Sequence, residues 1–73
     1  MATQIVMDIY GDTRLDFDAG DATALLQAER RFEALTGAGF TAATRNADGT
    51  AALLRKFDPT ADEMLFFPRL IGG

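Results

Sequence analysis

One segment of this chain reads in threes and fours, and nearly everything around it reads in twos. From Ala22 to Thr36 the apolar residues Leu25, Ala28, Phe32 and Leu35 recur at helical spacing, which gives one buried stripe on an amphipathic helix. Asp18, Gly20 and Asp21 stand before it, acidic and small residues that cap free amides and complement the helix dipole. Gly37 and Gly39 follow and can supply the positive φ that ends it. A chain of 73 residues with a single helix has only that helix to cover a sheet. At this length about 60% of the unfolded surface is buried on folding, so one small domain is expected.

The flanking segments have the two-residue period of half-buried strands. In Gln4 to Tyr10, Ile5, Met7 and Ile9 share one face and Val6, Asp8 and Tyr10 the other. Gly11 and Asp12 interrupt the run and Thr13 to Phe17 resumes it, with Leu15 and Phe17 aligned, as in an N-terminal hairpin. Beyond the helix, Phe40, Ala42 and Thr44 share a face, residues 46 to 49 have turn chemistry, and Ala51 to Phe57 carries Leu53 and Phe57 at strand-like offsets. The step from Asp58 to Pro59 breaks that strand and opens a connection through Asp62. Glu63 to Phe67 is short and almost wholly apolar, which places it inside the sheet rather than at its edge. The order strand, strand, helix, strand, strand, strand is that of an α+β protein with one helix on a small mixed sheet, a β-grasp. Residues 1–67 form this domain and 68–73 a flexible tail.

Composition narrows the chemistry. Seven basic residues against eleven acidic ones give a net charge of −4, and no basic cluster exceeds a pair, so nucleic acid is not an expected partner. No apolar stretch has the length of a membrane span and no signal-peptide pattern follows Met1, so a soluble, cytoplasmic protein is expected. Cysteine and histidine are both absent, which removes thiolate and imidazole ligands, disulfides and the ordinary hydrolase triad. Asn46, Asp48 and Gly49 resemble part of a calcium loop, but the spacing puts Thr44 in the first ligand position and Arg55 in the last, and a plain turn explains them. Asp16, Asp18 and Asp21 suit a solvated helix entrance, and Asp58, Asp62 and Glu63 a polar loop. No metal, bound cofactor or catalytic residue is expected.

The sequence closes on Phe66, Phe67, Pro68, Arg69, Leu70, Ile71, Gly72 and Gly73. Glycines at such a position leave an unhindered carboxylate on backbone slim enough to thread a narrow channel, and Pro68 restricts the base of the tail to extended geometry. The run from Asp62 to Gly73 resembles the ending of the small subunit of molybdopterin synthase, in which an acidic pair, an apolar strand with paired phenylalanines, proline and a diglycine occur in the same order. The tight N-terminal hairpin is more similar to ubiquitin. The segment from Glu29 through Phe32 and Gly39 to Pro59 resembles prokaryotic ubiquitin-like proteins found with activating enzymes of the ubiquitin type. Two features depart from the sulfur-carrier pattern: a short turn at Gly11 and Asp12, and Arg69 where a second proline is usual.

The resemblance implies a chain that is a substrate rather than an enzyme. An ATP-dependent adenylating enzyme would activate the Gly73 carboxylate. In a protein modifier the acyl group then passes to an enzyme thiol and to a target amine; in a sulfur carrier of the molybdopterin or thiamine type it becomes a thiocarboxylate. Conjugating enzymes, deconjugating peptidases and target proteins are the further partners implied. Gly72 and Gly73 are then the conjugation site and Pro68, Arg69, Leu70 and Ile71 the tail that the enzyme recognises. A β-grasp interaction module with incidental glycines is a third reading. If Met64 and Phe66 face the helix, Leu65 and Phe67 lie on the opposite, uncovered face as a partner surface. Lys56 is the one side-chain amine, hence the candidate acceptor for chains of the modifier itself.

Overall fold

The structure, a computed structural model, describes residues 1–45 and 48–68. In chain order the elements are β1 (Ala2–Asp8), β2 (Gly11–Phe17), α1 (Ala22–Gly37), β3 (Phe40–Arg45), β4 (Ala51–Leu54) and β5 (Glu63–Pro68). The five strands make one mixed sheet in the order β2-β1-β5-β3-β4, with β5 parallel to β1 and antiparallel to β3. One helix packed on a mixed sheet is the α+β architecture expected from the change of period.

The caps of α1 explain its limits. Asp21 accepts hydrogen bonds from the amides of Thr23 and Ala24 at 2.9 and 3.4 Å, satisfying donors that the first turn leaves free. At the other end Gly37 stays helical, and Gly39, with φ of +103°, turns the chain into β3. Ala28 and Phe32 are buried, so the stripe faces the sheet as expected. Met64 and Phe66 on β5 are wholly buried and join Phe32, Ala42 and Ala61 in the core, closed by Val6, Phe17, Leu35, Phe40, Leu54 and Phe57.

Three boundaries differ from expectation. The hairpin turns at Ile9 and Tyr10, not at Gly11 and Asp12: Asp8 pairs with Gly11, whose φ of +124° favours glycine at the first residue after the tip. Ile9 therefore leaves the face of Ile5 and Met7 and stands exposed with Tyr10. β4 ends at Leu54, because the chain bends at Arg55 and Lys56 and carries Phe57 inward against Phe32, edge to face at 5.9 Å. Asp58 then holds the next turn by accepting from the amide and hydroxyl of Thr60. Finally, β5 includes Pro68, opposite Phe40 at the end of the ladder, where a missing N–H costs least.

A polar side chain also ties helix to sheet. Gln4 has no exposed surface; its Nε2 donates to the Ala28 carbonyl at 3.0 Å, and its Oε1 accepts from Arg31 Nη1 at 2.6 Å. Burial of an amide is tolerated when both ends are satisfied. Arg31→Ala leaves that oxygen without its donor and should cost about 1–3 kcal/mol in urea denaturation, whereas Arg30→Ala at an exposed position should cost less than about 0.5 kcal/mol. Equal losses would show that the link to Gln4 contributes nothing.

Candidate functional site

The sheet has a covered and an open face. Pairing register puts Thr3, Ile5 and Met7 of β1, Glu63, Leu65 and Phe67 of β5, Thr41, Ala43 and Arg45 of β3, and Ala51 and Leu53 of β4 on the face away from α1. Its middle is apolar. Leu65 lies between Ile5 and Ala43, with Leu53 beyond Ala43. Polar groups frame this strip: Arg45 pairs with Glu63 at 3.7 Å, and Asp16 takes hydrogen bonds from the Thr3 hydroxyl at 2.7 Å and from Arg14 Nε at 3.3 Å. The Thr3 hydroxyl, and after it Arg14, holds the Asp16 carboxyl below the usual aspartate range, so the rim stays anionic there at neutral pH.

Leu65 and Phe67 thus occupy the expected face, but they differ in access. Leu65 is 8% exposed, because Ile5 and Ala43 close over it from the two neighbouring strands, and it cannot act as a protruding anchor. Phe67, Ile5 and Met7, all half-buried, and Leu53, 72% exposed, are apolar groups of this face that a partner could grip. The sequence pattern does not single out Leu53, because the two-residue period groups it with Phe57, and β4 ends between them.

Pro68 is exposed at the end of β5 and opposite Phe40. Arg69, Leu70, Ile71, Gly72 and Gly73 lie outside the described residues. Lys56 is exposed, as expected of an acceptor amine, but in the bend after β4 rather than in a strand. With Arg55 it forms one bank of an open groove; Glu29 and Glu33 form the other, over Phe32 and Phe57. Among the described residues no group of three or more carboxylates is placed to hold a metal ion, and no helix is long and apolar enough to cross a membrane.

No protein-family model matches the chain, and no curated protein or solved structure is significantly similar to it.

Proposed function

We propose that this chain is a β-grasp protein modifier of the ubiquitin-like kind, activated at Gly73 by an ATP-dependent adenylating enzyme and conjugated to amines of target proteins. The observation that carries the reading is the position of β5. It is a central strand held between β1 and β3, and it runs to Pro68, after which only Arg69, Leu70 and Ile71 precede the diglycine. The strand order, with one helix across it, is compatible with a β-grasp.

The chemistry follows from the carboxylate. A Gly73 carboxylate attacks the α-phosphate of ATP and pyrophosphate leaves, giving an acyl adenylate with a good leaving group. An enzyme thiolate then displaces AMP to form a thioester, and a target amine displaces the thiol to form an isopeptide bond. The chain contributes the acyl group and no catalytic residue. Gly72 and Gly73 keep the reacting end narrow, Arg69 offers the enzyme a charge, and Phe67 and Leu53 give it an apolar surface beside the tail's base. Such chemistry draws on ATP and suits the cytoplasm.

A sulfur-carrier reading shares the first step and is favoured by the likeness of residues 62–73 to the small subunit of molybdopterin synthase. The short hairpin turn and Arg69 favour the modifier. Intact mass after incubation with ATP and the activating enzyme of the same cell separates them. A thioester to that enzyme and adducts on other proteins are expected; an oxygen-to-sulfur mass gain on the free chain would show a carrier, and an unchanged mass a module that is not conjugated.

A further inference from the structure

The sheet has two edges, and they are unlike. β2 carries Asp12, Arg14 and Asp16, charges that resist burial against another chain. β4 is Ala51, Ala52, Leu53 and Leu54, with no charge and no proline, and its first three residues are exposed. Among the described residues its ladder is with β3 alone, so the amide and carbonyl of alternate residues point outward, away from the sheet. An extended backbone is the ligand that such an edge takes.

The geometry points to β4 as a self-pairing edge: two copies of the chain join antiparallel through Ala51–Leu54, centred on Ala52, into one continuous sheet. A two-fold axis normal to the sheet keeps the open faces of both copies on one side, so residues directly opposite must come from the same face. Centring on Ala52 satisfies this. Ala51 then meets Leu53 of the second copy on the open face, and small side chains at the axis let the backbones approach.

Charge suits an antiparallel pairing. Asp48 lies before β4 and Arg55 and Lys56 follow its last residue, so pairing sets the acidic end of each copy beside the basic end of the other, twice over by symmetry. Among the described residues neither Arg55 nor Lys56 has an ion-pair partner within its own chain. The Thr50 hydroxyl and amide hold the Asp48 carboxyl below its ordinary range, so it is ionised when the copies meet. Four residues a side make a small interface, so the dimer forms only at high concentration.

Sedimentation equilibrium tests this, together with single-cysteine variants in a chain that has no other cysteine. The mass is expected to rise from one copy toward two as concentration approaches about 1 mM. Ala52→Cys, at the axis, should oxidise to a disulfide-linked dimer at least about tenfold faster than Thr13→Cys on the other edge, because association raises the effective thiol concentration. Ala52→Lys sets two ammonium groups face to face and should remain monomeric with an unchanged circular dichroism spectrum. A wild type that stays monomeric at about 1 mM, a Thr13→Cys that links as fast as Ala52→Cys, or a folded Ala52→Lys that associates like wild type would each overturn the assignment.

Discussion

Replacing Phe32 with alanine is expected to cost about 3–5 kcal/mol of folding stability. The ring is 3% exposed and lies between Phe57 and Phe66, edge to face at 5.9 and 5.8 Å, where α1 meets the sheet and the bend after β4. Truncation removes both aromatic contacts and leaves a cavity lined by Met64, Phe66 and Ala42, none of which can collapse into it without disturbing the central strands. Because native domains hold only about 5–15 kcal/mol in total, and a chain this short sits toward the low end, the variant should be largely unfolded in modest urea. Leu26→Ala on the same helix, at a position 48% exposed, should change stability by less than about 1 kcal/mol. Urea titration followed by helix circular dichroism measures both. A loss of a few tenths at Phe32 would contradict the packing described here.

What could be read from the chain was what depends on neighbours in sequence. The stripe through Ala28 and Phe32 orients α1 because helical period is local, and the apolar run of β5 marks a central strand because both its faces are crowded. The cap at Asp21 was legible for the same reason. What could not be read depends on distant partners. Gln4 looks like an ordinary polar strand residue, and its burial follows from Ala28 and Arg31, which stand 24 and 27 positions away. Alternation alone makes Leu65 an accessible surface group, and the pairing register sets Ile5 and Ala43 beside it. Leu53 and Phe57 share a strand-like offset, yet the bend at Arg55 and Lys56 sends one to the open face and the other to the core. The sequence points to a turn at Gly11 and Asp12 because glycine and aspartate carry turn chemistry, whereas Gly11 and Asp12 open β2 and leave Ile9 and Tyr10 to make the turn. The candidate site divides the same way: Lys56 and the face of Phe67 follow from local pattern, while the accessibility of that face is a property of the assembled sheet.

Removing Gly72 and Gly73 is the second large effect expected, and it acts on chemistry rather than on folding. Among the described residues the ladder closes with Phe40 and Pro68, four residues before the first of these glycines, so a chain ending at Ile71 should keep the melting behaviour of the full chain. It should nevertheless lose conjugation entirely. A branched Ile71 in place of glycine puts a side chain beside the reacting carboxylate and shortens its reach by two residues, about 7 Å of extended backbone. The direct measurement is mass spectrometry of tryptic digests from cells expressing an N-terminally tagged full chain or its truncated form. Trypsin cuts after Arg69, so a conjugated lysine should carry Leu70-Ile71-Gly72-Gly73 on its side-chain nitrogen. The account predicts such branched peptides on several proteins with the full chain, few of them at Lys56, and none with the truncated form. The absence of branched peptides from the full chain, or covalent adducts that persist after the glycines are removed, would contradict it.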